Sequence, residues 1–212
     1  MHYLHQLIDY IIHIDLYLNT FVSIYGFWTY FALFAVIFCE TGLIVMPFLP
    51  GDSLLFTAGS IAAQSNPSFN IFILFLLLFA ASILGNQLNF LIGRAVGLRI
   101  FSANDSWLLN KKHLQETHTF YEKHGGKTII FARFLPIIRT FAPFVAGIGT
   151  MHALQFSLYN VISAFLWIGS LLGFGYFLGS IPVVKENFVL VIYGIIFISL
   201  LPPVITLFRK KV

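Results

Sequence analysis

The residues best suited to chemistry in this chain are four charges set in strongly apolar sequence. Arg133 and Arg139 are the only Asp, Glu, Lys or Arg side chains between Lys127 and Lys185, and Glu40 and Asp52 are the only ones between Asp15 and Arg94. One such group near a bilayer centre costs at least ~2.5–3.5 kcal/mol, so four of them need compensation in pairing or in function. Arginine presents a planar fork of donors that grips a phosphate through two bonds and stays charged when partly buried. A carboxylate in low dielectric is a site where a proton can be taken up. The set points to Arg133 and Arg139 holding a phosphate. Glu40 and Asp52 would pair with the arginines in the absence of ligand and be displaced or protonated as it moves. The plainer reading is that the four charges neutralise one another and stabilise the segments around them. An ion pair alone is weak grounds for burying four charges, which favours ligand handling.

Both charge pairs lie on interrupted segments. Proline removes a backbone donor and breaks a helix, leaving carbonyls to be satisfied inside protein or a wet cavity. Residues 27–63, broken at Pro47, Pro50 and Gly51, predict an acidic re-entrant hairpin. Residues 127–150, broken at Pro136 and Pro143, predict a basic one. The alternative for the first is two ordinary spans joined by a loop at 47–52. Phe48-Leu-Pro50 aligns with Phe134-Leu-Pro136, and Phe56-Thr-Ala-Gly59 aligns with Phe144-Val-Ala-Gly147. Phe90-Leu-Ile-Gly93 and Tyr176-Phe-Leu-Gly179 follow in turn. The chain therefore reads as an internal repeat with an acidic and a basic copy.

Of 212 residues, 58% are hydrophobic and 9% charged, which marks an integral membrane protein rather than a soluble domain. The single cysteine, Cys39, rules out an intramolecular disulfide framework. Nothing at the N-terminus resembles a cleavable signal peptide, so the chain is expected to insert uncleaved. The net charge of +4 matters less than its placement. Arg94, Arg99, Lys111, Lys112, Lys123 and Lys127 crowd the centre, and Arg209, Lys210 and Lys211 lie at the far end. By the positive-inside rule both regions are cytoplasmic, and no nucleic-acid partner is expected.

Residues 3–25 read as an amphipathic helix, in the interface in preference to spanning it. His5, Asp9 and His13 share one helical face there, a stripe that can bind zinc but that any polar face also produces, so no metal is assigned. Residues 69–98 form the clearest transmembrane helix, followed by an amphipathic cytoplasmic helix over 104–124. His113, His118 and His124 on that helix read as solvated. Spans over 153–179 and 188–208 complete an all-α membrane protein in a single domain, 1–212. Counted from the central loop, the two hairpins enter from opposite faces, an inverted repeat whose tips meet near the midplane. Asn86 and Asn89 either hydrogen-bond neighbouring helices or line a polar path.

The chain closely resembles the bacterial DedA family of membrane proteins. The resemblance rests on Phe-Cys-Glu-Thr-Gly at 38–42, Pro-Phe-Leu-Pro-Gly-Asp-Ser-Leu-Leu-Phe at 47–56, Ile-Gly-Arg at 92–94, Phe-Tyr-Glu-Lys-His-Gly-Gly-Lys-Thr at 120–128 and Arg-Phe-x-Pro-x-x-Arg-Thr-Phe-Ala-Pro at 133–143. It implies a multi-pass protein of the bacterial inner membrane with inverted re-entrant hairpins, similar to the VTT-domain lipid scramblases. It also implies return of undecaprenyl phosphate across the membrane, dependent on the proton motive force, with Glu40, Asp52, Arg133 and Arg139 as functional residues. One departure stands out: Asn86 and Phe90 occupy positions where relatives usually carry aspartate and tyrosine, and an amide cannot relay a proton at neutral pH.

The expected partners are thus an anionic lipid, undecaprenyl phosphate or a phospholipid, and protons, with a homo-oligomer compatible with the sequence. The residues themselves argue only for an anionic, lipid-like ligand. Two other classes remain open, a proton- or cation-coupled small-ion transporter and a non-transporting assembly protein. Neither a Ser-His-Asp order, a phosphate loop nor a compact metal box is present, so no enzyme activity and no cofactor are expected.

Overall fold

In the computed structural model the described residues are 20, 24–43, 51–63, 69–100, 125–148, 151–181 and 194. The segments predicted over most of 3–25 and over 104–124 and 188–208 lie outside them. So do Pro47, Pro50, Arg209 and the histidines at 5, 13, 113, 118 and 124. Among the described residues the chain is helical throughout, with no strand: α1 Trp28–Gly42, α2 Gly51–Ala62, α3 Ile71–Ile100, α4 Thr128–Ala132 behind a 3-10 turn at Gly125–Lys127, α5 Pro136–Ile148 and α6 Ala153–Gly179.

Length sorts these helices into two kinds. At 1.5 Å per residue, the 30 residues of α3 and the 27 of α6 extend about 45 and 40 Å. Both exceed a hydrocarbon core of ~30 Å. The apolar stretches Ile71–Ala95 and Ala153–Gly179 are long enough to cross a membrane, and only 33% of the most apolar 18 residues of each is buried inside the protein. Phe72, Leu76 and Leu91 on α3 and Leu154, Phe165 and Phe177 on α6 are exposed. A soluble core helix would hide them, whereas lipid accepts them. The 15, 12 and 13 residues of α1, α2 and α5 reach only about 22, 18 and 20 Å, too short to cross.

Local chemistry sets the boundaries. Gly26, at φ 47°, turns the chain into α1. Asn70 caps α3 by accepting from Phe72 N–H at 2.9 Å, which is why α3 begins two residues after the expected 69. Asn70 N–H donates in turn to the Tyr30 hydroxyl at 2.6 Å, tying the start of α3 to α1. Pro136 opens α5, a position where a missing N–H costs nothing.

Pro143, predicted as a break, instead lies inside α5. The missing N–H leaves the Arg139 carbonyl, one turn back, without its helical donor; on the next residue Asn89 Nδ2 of α3 donates to Thr140 O at 2.9 Å. The same amide reaches Thr41 O at the end of α1, 3.5 Å away.

The short helices pack on the long ones in a crossed pattern: α1 on α3 and α4 on α6, but α2 on α6 and α5 on α3, with α3 against α6. A Cβ at Gly59 of α2 would strike the Leu172 carbonyl of α6, and one at Gly147 of α5 would strike the Phe90 carbonyl of α3. Gly175 likewise abuts Phe56, and Gly93 abuts Phe144. Gly93 and Gly175 thus make matching contacts, each against the backbone of a phenylalanine on a short helix. Two larger apolar cores result, one around Ile37, Leu55, Leu78 and Leu172, the other around Phe90, Ala142 and Phe156, and a third, smaller cluster holds Phe141, Phe144 and Val145. Along α3 and α6 the stretch between the two larger cores carries Ser82, Asn86, Asn89, Asn160 and Ser163, all buried.

Candidate functional site

Three helix ends and the middle of two spans converge on the charged residues. Glu40 sits near the end of α1, Asp52 is the second residue of α2, and Arg139 lies in the first turn of α5. Arg139 Nη1 donates to Asp52 Oδ1 at 2.9 Å, and its Nη2 donates to Glu40 Oε1. One guanidinium from the basic segment thus closes on both carboxylates of the acidic segment. Glu40 has no solvent exposure and Arg139 has 7%, whereas Asp52 retains 27%.

Gly51 makes the approach possible. Any side chain there would run into the Glu40 carboxylate. Because Gly51 opens α2, both carboxylates lie at the positive end of a 12-residue helix, which favours their charge. Gly51 therefore stands at a helix boundary, and its lack of a side chain makes room for the carboxylate.

Arg133 lies in the break between α4 and α5 and is 3% exposed. Among the described residues it has no carboxylate within ion-pair reach; the salt bridges there both belong to Arg139. Its Nη1 donates to Ser163 Oγ on α6 at 2.9 Å. Its Nη2 donates to the Ser82 carbonyl on α3 at 3.3 Å and to the Ser82 hydroxyl. The expectation that the carboxylates pair with both arginines is corrected here. Arg139 reaches α1 and α2, while Arg133, on the preceding break, meets the serines of α3 and α6.

Trp167 joins the two. Both guanidinium carbons lie over its ring, Arg133 at 5.2 Å and Arg139 at 5.1 Å from the centroid. Desolvated contacts of this kind are worth up to ~2 kcal/mol each. The indole Nε1 also donates to Asp52 Oδ1 at 3.0 Å. The ring is almost fully buried.

Asn86 and Asn89 lie one and two turns along α3 from Ser82. Asn86 Nδ2 donates to Asn160 Oδ1 at 3.1 Å, and Asn160 Nδ2 donates back to Ile83 O at 3.0 Å. This neutral bridge needs no carboxylate at position 86. Phe90, the other departure, stacks on Phe156 with centroids 4.2 Å apart. The donors of both amides hold helices together, while their Oδ1 atoms have no hydrogen-bond partner among the described residues.

Trp167, Ser82, Ser163 and Asn160 belong to the site and were not singled out by sequence reasoning. Trp167 carried a usable signal, since a tryptophan in the middle of a span departs from the interfacial belts where the residue concentrates. The serines carried none beyond being small polar residues in apolar runs.

Residues 49–177 match the VTT domain, a stretch that holds Asp52, Arg133, Arg139 and Trp167 and begins after Glu40. Protein DedA of Escherichia coli (strain K12) is 51% identical over 211 residues, covering 100% of this chain and 96% of that protein. An uncharacterised membrane protein of Mycobacterium leprae (strain TN) is 41% identical over 174 residues, 82% of this chain and 77% of the relative. Inner membrane protein YghB of Escherichia coli (strain K12) is 38% identical over 160 residues, 74% and 71% respectively. No solved structure gives a significant match.

Proposed function

The chain belongs to the DedA family of VTT-domain membrane proteins, and on that premise we propose that it carries an anionic lipid across the bacterial inner membrane through its buried charge cluster. The observation that carries this reading is the asymmetric neutralisation of the two arginines. Arg139 is held by Glu40 and Asp52, while Arg133 is equally buried and faces neutral groups. A cluster made for stability would pair both cations, because an uncompensated buried charge costs several kcal/mol. A site that receives an anion keeps one cation for it.

The crossed packing, with glycine contacts of α2 on α6 answering those of α5 on α3, supports reading 27–63 and 127–150 as re-entrant hairpins of an inverted repeat. The proposed topology sets the central loop and the C-terminal end in the cytoplasm, following their lysines and arginines. The resemblance supplies undecaprenyl phosphate as the lipid. Glu40 and Asp52 couple its movement to protons by releasing Arg139 when protonated, and the lipid is moved without chemical change.

The test uses purified protein in proteoliposomes, with undecaprenyl phosphate translocation and internal pH followed in parallel. Lipid movement that depends on the protein supports the carrier. Proton or cation flux without lipid movement replaces it with an ion transporter, and neither activity leaves an assembly role.

A further inference from the structure

Arg133 differs from Arg139 in the kind of group that holds it. We propose that Arg133 and the hydroxyls of Ser82 and Ser163 form the seat for the phosphate, with Arg139 acting as a latch between the hairpins and not as a phosphate ligand. This rests on the anionic-ligand reading above and assigns the two arginines different work.

Four observations carry it. Arg133 is a cation at 3% exposure with no carboxylate in reach among the described residues, and Glu40 and Asp52 are already engaged by Arg139. Its partners are two hydroxyls and a carbonyl, all neutral. A hydroxyl that accepts from a guanidinium keeps a proton it can turn toward an incoming oxyanion. At Ser163 that proton now goes to Asn160 O at 3.0 Å, on the adjacent turn. Finally, Arg133 Nε is buried and has no hydrogen-bond partner among the described residues.

Nε, the two Nη groups and the two hydroxyls therefore place donors from α3, α6 and the α4–α5 break on and beside one guanidinium. A carboxylate, with two oxygens, leaves part of this set unused, whereas the non-bridging oxygens of a phosphate can engage it. The Asn86–Asn160–Ile83 bridge fixes the turns of α3 and α6 on which the serines stand. Because Arg133 is nearly enclosed, the phosphate reaches the seat when the segment 128–148 shifts against α3 and α6.

The experiment measures binding to the full-length protein in detergent micelles by calorimetry, with farnesyl phosphate, inorganic phosphate and laurate as probes. Ser82→Ala and Ser163→Ala are compared with the native protein, and Ser163→Cys serves as a second, near-isosteric variant with a poor donor. Unliganded melting of each variant is recorded so that affinity is read on folded protein. The seat predicts farnesyl phosphate bound in preference to laurate, and a loss of about tenfold or more for each alanine variant, the size expected for a hydrogen bond to a charged group. Variants that bind farnesyl phosphate within twofold of native overturn the seat while the lipid reading stands. Equal binding of inorganic and farnesyl phosphate, lost in the same variants, keeps the seat and overturns lipid selection. No binding of either phosphate by the native protein overturns both.

Discussion

Removing one member of the Arg139 cluster should destabilise the protein more per change than removing two. Glu40 has no exposure and Arg139 has 7%, so each single substitution takes a partner from a buried charge, at about 3–5 kcal/mol. Arg139→Gln belongs at the upper end, because Glu40 and Asp52 are left with each other at the start of α2. Glu40→Gln belongs at the lower end, because Arg139 keeps Asp52 at 2.9 Å. In Glu40→Gln/Arg139→Gln, of these three groups only Asp52 stays charged, and it retains 27% exposure and the Trp167 N–H. The double variant should therefore lose no more than Arg139→Gln alone, a coupling of at least ~2 kcal/mol. The assay is reversible unfolding in mixed detergent micelles followed by circular dichroism. Losses that add to within ~0.5 kcal/mol would refute the reasoning, since independent sites behave that way.

Three further outcomes follow from the packing. Gly59→Ala and Gly147→Ala, where a Cβ meets backbone, should each lose about 1–3 kcal/mol in the same assay. Gly173→Ala, with nothing within 4 Å, should lose nothing and gain up to ~1 kcal/mol. Trp167→Phe keeps a ring under both guanidinium groups and gives up the bond to the Asp52 carboxylate, so its unfolding free energy should fall by about 1.5–3 kcal/mol. Trp167→Ala should fall by ~3–5 kcal/mol. Asn89→Leu removes the donor to Thr140 O beside Pro143, and a loss of ~1–3 kcal/mol with faster amide exchange in the second half of α5 is expected.

Much of this arrangement was legible because a membrane makes charge conspicuous. Four ionised residues in apolar runs, with prolines beside them, located the cluster and the helix boundaries at Gly51 and Pro136. The long apolar runs over 69–98 and 153–179 were equally plain. What stayed hidden depends on a second helix. Pro143 reads as a break until its turn is seen inside α5, packed against α3. Which glycines meet backbone is likewise not recorded by spacing along one chain. The unequal pairing of Arg133 and Arg139 also could not be read from sequence. It follows from the direction each side chain takes off a short break and the helix after it. Ser82 and Ser163 gain their meaning only from the arginine they face.

The most direct test of the account is translocation of undecaprenyl phosphate in proteoliposomes by the native protein and by Arg133→Ala, Arg139→Ala, Glu40→Gln and Asp52→Asn. The account predicts that both arginine variants abolish translocation. It predicts that the carboxylate variants still bind lipid but move it slowly or without pH dependence. Four variants that move lipid at the native rate would contradict it and leave the buried charges a structural role alone.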